Sequence, residues 1–188
     1  MNVASADKWS SSFALDVANK IASCYGVYCG PASVGWIAAV WNNIKCRPYD
    51  VLGRLNDKTL FPDGPRDFHR NVPGFQMNLS DLLRRETQND LKLDSRLYFK
   101  HHTIHRLLDS SGMPFIIRMP SPQIKDGLHY VTLYRSDRST KNRHHSFYWQ
   151  DNGIYRSSEP IGEGLSKSGT ISMGLHFFPW GAKRVTHV

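Results

Sequence analysis

Cys29 stands directly before Gly30 and Pro31, where a run of regularly spaced apolar residues begins. Proline is favoured in the first turn of a helix, because the N–H that it lacks has no partner there. The pattern therefore predicts a helix that starts at Cys29. The free N–H groups and the positive end of the helix dipole at such a start favour a thiolate, which is the nucleophilic form. We predict that Cys29 is a catalytic nucleophile; the alternative is a buried structural cysteine.

A nucleophilic cysteine needs a base, and His129 is the best candidate. It follows an Asp126-Gly127 turn and opens an alternating apolar segment. In a strand His129 shares one face with Val131 and Leu133, and its position at the start of that strand lets its side chain reach a cleft. We predict that His129 is the general base; the alternative is an ordinary strand histidine.

Asp151 ends the later segment Ser146-Phe147-Tyr148-Trp149-Gln150-Asp151, and Asn152 follows it. If the two segments form a hairpin around the polar loop 135–144, the start of the first strand lies beside the end of the second. His129 then neighbours Asp151 or Asn152, depending on register and bulges. A hydrogen-bond acceptor on one ring nitrogen would fix the tautomer of the histidine. Asp151 is the predicted orienting residue, Asn152 is the alternative, and Trp149 is a candidate for shielding the pair.

No metal or cofactor site is predicted. Cys24 and Cys29 have four residues between them, which suits neither a zinc site nor a redox pair, and Cys24 and Cys46 are predicted to be structural. Three histidines lie within residues 101–105, but no glutamate follows the first as in zinc proteases. We interpret them as a surface cluster.

The elements that must position these residues indicate an α+β fold in one domain, residues 1–188. Apolar spacing predicts helices over 11–23 and 29–44, and shorter ones over 81–86, with Ser80 as the cap, and over 103–108. Residues 47–73 are predicted to be mostly irregular. Strands are predicted at 114–119, 128–134, 146–151 and 175–178. N-terminal helices thus pack on a C-terminal antiparallel sheet.

The composition narrows the class of protein. The chain has 188 residues, 40% of them hydrophobic and 21% charged, as in globular proteins rather than disordered ones. No apolar run approaches the roughly 20 residues of a membrane span, and no cleavable signal is visible. The net charge of +8 favours acidic partners. The basic loop 135–143 leaves open a nucleic-acid-binding or nuclease module, but no binding motif accompanies it and nucleic acid is not the expected partner.

Three motifs carry a resemblance to the papain-like cysteine peptidases, and above all to the bacteriocin-processing peptidases of C39 type. They are Cys-Gly-Pro-Ala-Ser from Cys29, His-Tyr-Val-Thr-Leu from His129 and Trp-Gln-Asp-Asn-Gly around Asp151. The resemblance covers residues 22–41 and 128–153. It implies a papain-like fold, a Cys-His-Asp mechanism, no cofactor, and cleavage of protein or peptide substrates after small residues such as glycine.

The chain departs from the papain pattern at the oxyanion hole, since no glutamine precedes Cys29. The backbone N–H of Cys29 could supply one hydrogen-bond donor to the oxyanion. The candidates for a second donor are Ser23 and Tyr28, with Tyr25 and Asn19 as further possibilities.

A small, unfused, basic papain-like domain is similar to antibacterial toxins that bacteria deliver into competitors, for example by type VI secretion. That resemblance implies an effector that is cytoplasmic in its producer, is secreted without a cleavable signal, and meets a cognate immunity protein. The same triad would also serve a peptidoglycan-cleaving amidase or endopeptidase.

Overall fold

The computed structural model describes residues 8–22, 29–43, 75–120, 128–137, 146–151, 154–156 and 177–188. Its helices are α1 (Ser12–Ala22), α2 (Cys29–Asn42), α3 (Phe75–Glu86) and α4 (His101–Ser111). Its strands are β1 (Leu91–Lys100), β2 (Phe115–Pro120), β3 (Leu128–Asp137), β4 (Ser146–Asp151), β5 (Ile154–Arg156) and β6 (Phe177–His187). The predicted α+β class is thus confirmed, with one strand, β1, placed between helices.

The six strands form one sheet in the order β1-β6-β2-β3-β4-β5, and every neighbouring pair is antiparallel. β3 and β4 pair with each other, as the sequence predicts. β6 lies between β1 and β2, although it comes last of the six in the chain. The centre of the sheet therefore joins segments that are far apart in sequence.

The two faces of the sheet bury two separate apolar clusters. The first cluster joins α1, α2 and α3 to the sheet, and β3 contributes Tyr130 and Tyr134 to it. The second cluster joins α4 to the sheet, and β3 contributes Val131 and Leu133 to it. Because side chains alternate along a strand, even-numbered residues of this part of β3 face α2 and odd-numbered residues face α4.

Helix α2 is held on the sheet by tryptophans. Residues 32–40 are all buried. Trp36 is fully buried, and its indole N–H donates to the Ala14 carbonyl of α1 at 3.0 Å. Its ring lies 5.5 Å from that of Trp9 and 5.7 Å from that of Tyr134, measured between centroids. These contacts fix α2 against both α1 and β3, and thereby fix the position of its first turn.

Two predictions about the elements were wrong. Ser80 is not a helix cap, because α3 begins five residues earlier, at Phe75. Its hydroxyl instead accepts a hydrogen bond from the Leu93 backbone N–H of β1 at 3.0 Å. Strand β6 begins near the predicted position but continues to His187, far beyond residue 178. The predicted irregular segment 47–73 lies outside the described residues.

Asp94 anchors the middle of β1. Its carboxylate accepts hydrogen bonds from the Arg96 backbone N–H at 3.0 Å and from the Tyr98 hydroxyl at 2.8 Å. Partial burial by itself disfavours the charged form, but these two donors and the guanidinium groups of Arg184 and Arg96 outweigh it, so the pKa of Asp94 lies below its ordinary value. Ionised Asp94 therefore stabilises the fold.

We expect Asp94→Asn to lower the free energy of unfolding at pH 7 by up to about 1 kcal/mol, the scale of an exposed charge interaction. Because folding lowers the pKa of Asp94, the stability that its charge contributes is complete above the ordinary aspartate pKa of about 4. That stability is lost as the pH falls through the pKa of Asp94 in the folded protein. Urea titrations from pH 7 to pH 2 should show the two proteins converging in acid. Asp81→Asn, at an exposed position of α3, is the control; a difference that persists below both pKa values would contradict the assignment.

Candidate active site

Cys29 is the first residue of α2, as the sequence predicts. It is 4% exposed and belongs to the cluster between α2 and the sheet. Its carbonyl accepts a hydrogen bond from the Ser33 hydroxyl at 2.9 Å. Together with the packing of α2 described above, this holds the thiol at the N-terminal end of a rigid helix.

Tyr130 lies beside this thiol. It is 1% exposed and belongs to the same buried cluster as Cys29. Burial raises the pKa of Tyr130 well above its ordinary value; the Arg118 guanidinium acts in the opposite direction, and the Cys29 sulfur raises it further. The tyrosine hydroxyl therefore stays protonated, and its pKa responds to the charges of both Arg118 and Cys29.

Arg118 reaches Tyr130 because the two residues are direct partners across β2 and β3. Directly opposed residues of an antiparallel pair project from the same face of the sheet. Arg118 is therefore on the α2 side, together with Tyr130 and Cys29. Neither Arg118 nor Tyr130 was identified from the sequence as part of the site, because only the pairing of β2 with β3 places Arg118 opposite Tyr130.

His129 is the residue before Tyr130 and pairs with Met119 near the start of β3. It is partly exposed. Strand alternation groups it with Val131 and Leu133, whereas Tyr130 belongs to the set that faces α2. The structure thus brings Cys29 to the opening residues of β3, and an approach of the imidazole to the thiol has to pass around the end of that strand.

Asp151 is the last residue of β4, where it pairs with Ile154 of β5. Gln150 pairs with Thr132, so Asp151 lies one step further towards the start of β3. A bulge after Leu133 sets this register. The backbone position of Asp151 is diagonal to that of His129, an arrangement with a Cα separation of roughly 7–8 Å in antiparallel pairs.

Strand alternation also relates the position of Asp151 to that of His129. Trp149 pairs with Leu133, and Asp151 falls in the same alternating set as Trp149. His129 falls in the set of Leu133, so the strand positions of Asp151 and His129 belong to the same alternating set. Asn152 and the oxyanion-hole candidates Ser23, Tyr25 and Tyr28 lie outside the described residues, as do Cys24 and Cys46; of Asn19, on α1, only the backbone is described.

The histidines of α4 do not form the predicted surface cluster. His101 and His105 are buried, and only His102 is exposed, because residues four apart share the face of α4 that packs on the sheet. The His105 ring stacks on Phe147 at 3.9 Å between centroids, and its Nδ1 lies 2.5 Å from the Ser136 hydroxyl. Within the part of the chain that the structure describes, no three His, Cys, Asp or Glu residues form a metal-binding group.

No protein-family profile matches this chain, and no curated protein matches it either. Among the described helices, none has the length and apolar character needed to cross a membrane. The geometry around Cys29 is therefore the main guide to function.

Proposed function

We propose that this protein is a papain-like cysteine endopeptidase in which Cys29, His129 and Asp151 form the catalytic triad. The single observation that carries the proposal is the position of Cys29 at the first residue of the buried helix α2, next to the opening residues of β3. Among chemical functions, a fixed thiol at a helix N-terminus is suited to nucleophilic attack.

The proposed reaction has two halves. The Cys29 thiolate attacks the scissile carbonyl carbon, and His129 donates a proton to the leaving amine as the C–N bond breaks, which leaves a thioester. His129 then removes a proton from water, the resulting hydroxide attacks the thioester carbon, and the thiolate leaves with the acid product. Asp151 stabilises the imidazolium that forms in each half.

Two features of the hairpin support the choice of base and orienting residue. The strand positions of Asp151 and His129 belong to the same alternating set and are one diagonal step apart. Trp149, in that set, is 2% exposed and packs in the second cluster. An apolar ring beside the proposed His129–Asp151 pair would keep water away and strengthen the interaction between their charges.

The biological setting that we propose is that of an antibacterial effector, for which a small basic protease domain is suited. Its target would be a protein in the cell that receives it, and a dedicated immunity protein would protect the producer. Expression in sensitive bacteria should arrest growth when Cys29 is present and should not when Cys29 is replaced by alanine.

Mass spectrometry of newly formed peptide termini tests the proposal. Cells expressing the wild-type chain should contain termini that are absent from cells expressing Cys29→Ala at equal abundance. Purified cell-wall muropeptides, incubated with the same two proteins, form the second arm. Cleavage of muropeptides without new protein termini would indicate that the triad hydrolyses peptidoglycan and not proteins. The absence of Cys29-dependent cleavage of both substrates would refute the proposal.

A further inference from the structure

Arg118 is a half-buried cation with no carboxylate to balance it among the residues that the structure describes. Its side chain is on the α2 face of the sheet, opposite Tyr130. Its Nε is shielded from solvent and has no hydrogen-bond acceptor within the described ranges. Guanidinium groups in such settings are normally paired with a carboxylate, because an unpaired buried charge is costly.

Lys183 adds a second positive charge nearby. It pairs with Ile116, which lies two residues before Arg118, so Lys183 is diagonal to Arg118 on the same face. Burial lowers the pKa of Lys183, Asp94 opposes that effect, and the Arg118 charge lowers the pKa further. The two cations therefore repel each other, and only Lys183 has an acidic neighbour in the described part of the chain.

Arg118 is also connected to the thiol. Tyr130 pairs with Arg118 across β2 and β3 and shares a buried cluster with Cys29, and the charges of both residues affect its pKa. Arg118 and Tyr130 are thus on the sheet face that α2 covers, and Cys29 belongs to α2 itself. An anion that entered beside Cys29 would meet the guanidinium, relieve the repulsion with Lys183, and satisfy the Nε donor. A planar carboxylate suits these donors best, because it can accept two parallel hydrogen bonds from one arginine.

We infer that Arg118 is a substrate-recognition residue that binds an acidic side chain close to the bond that Cys29 attacks. The inference rests on the proposed peptidase function, and it narrows the substrates to polypeptides with aspartate or glutamate near the cleavage site. Arg118 is a specificity residue in this role; it does not take part in bond breaking.

Alkylation of Cys29 tests the charge beside the thiol without any substrate. Iodoacetate and iodoacetamide are nearly equal in size, and with each the thiolate displaces iodide to form a thioether, but only iodoacetate is an anion. Peptide-resolved mass spectrometry gives both rates for Cys29 apart from the other cysteines. We expect Arg118→Gln to lower the ratio of the iodoacetate rate to the iodoacetamide rate about tenfold, which is the order of magnitude expected when one nearby positive charge is removed.

The matched control is Arg184→Gln. Arg184 is a half-buried arginine of the same sheet with a shielded Nε, but it alternates with Lys183 and therefore lies on the α4 face. This variant should keep the wild-type ratio. Arg118→Lys keeps the positive charge, so its ratio of rates should stay close to that of the wild type. This variant replaces Arg118→Gln in the comparison if the glutamine variant does not fold. An unchanged ratio in folded Arg118→Gln would overturn the inference.

The substrate arm uses the termini that active protein generates. Wild-type cleavage sites should be enriched in aspartate or glutamate within about three residues of the cut, and Arg118→Gln should lose that enrichment while Arg184→Gln keeps it. Sites without acidic residues would overturn the inference and leave the peptidase proposal standing. If Cys29-dependent termini never form, the peptidase proposal fails, whereas the alkylation ratio still reports whether the anion site exists.

A ratio that depends on Arg118 but falls when short oligonucleotides are added would instead assign the site to nucleic-acid phosphates.

Discussion

Cys29→Ala should abolish cleavage, with a loss of about a million-fold, the scale seen when a protease nucleophile is removed. The reason is that no other group at the start of α2 can form the covalent intermediate. The side chain is small, and its removal should change the free energy of unfolding by no more than about 1.5 kcal/mol. Rates of terminus formation in vitro and urea unfolding of the same preparations are the two measurements.

Replacement of His129 is a second test of the proposed catalytic triad, because its loss should slow cleavage without abolishing it. His129→Ala should slow cleavage by about 10²- to 10⁴-fold, the usual contribution of a general acid–base group. His102, exposed on α4, is the control histidine, and its replacement by alanine should leave the rate unchanged. Equal rates for wild type and His129→Ala would show that the imidazole does not reach around the end of β3 to the thiol.

Trp36→Ala should cost about 3–5 kcal/mol of unfolding free energy, which is a large part of the stability of a chain of this size. The indole fills the space between α1, α2 and β3, and its loss also removes the hydrogen bond from the indole N–H to the Ala14 carbonyl. Guanidinium chloride denaturation followed by far-UV circular dichroism gives the difference. The helix that positions Cys29 would loosen, so activity should fall as well.

Leu15 on α1 is the control position for the loss of stability expected from Trp36→Ala. Leu15 follows Ala14 but is 41% exposed. Its replacement by alanine should change the free energy of unfolding by no more than about 0.5 kcal/mol. Similar losses for Leu15→Ala and Trp36→Ala would mean that the described packing of α2 does not govern stability.

Local patterns in the sequence were sufficient for the elements that carry Cys29 and His129. Apolar residues spaced three and four apart mark α1 and α2, and Pro31 marks the start of α2 at Cys29. The polar loop between two alternating segments was enough to predict the pairing of β3 with β4. Whether His129 and Asp151 act together with Cys29 remains a prediction from sequence.

Strand β1 and the part of β6 beyond residue 178 could not be predicted, because their alternating pattern is interrupted. β1 begins with the buried Leu91 and Leu93, but a register shift before Leu97 breaks the alternation. β6 contains Gly181 at φ 73°, a backbone conformation typical of turns, followed by basic residues. Both segments are strands because each is paired along its length by a distant partner, and such pairing leaves no signal in a local window.

Arg118 and Tyr130 were missed for a related reason. Each looked like an ordinary residue of an apolar strand, and neither was assigned a role, although Tyr130 is part of the His-Tyr-Val-Thr-Leu motif. Their significance depends on the register that makes them partners and on the face that α2 covers. A sequence pattern can place a residue on a strand, but the identity of the groups that surround it depends on tertiary structure.

The central place of β6 has a consequence for how the protein is made. While a ribosome has translated only the first 176 residues, β1 and β2 have no strand to join them, because β6 is the shared neighbour of both. Helix α2, which carries Cys29, would thus be synthesised long before the sheet that supports it can be completed. Contacts that join such distant segments form slowly. On the proposed function, the chain would therefore become active only after residue 187 has left the ribosome, so a truncation before β6 should be inactive even though it contains Cys29, His129 and Asp151.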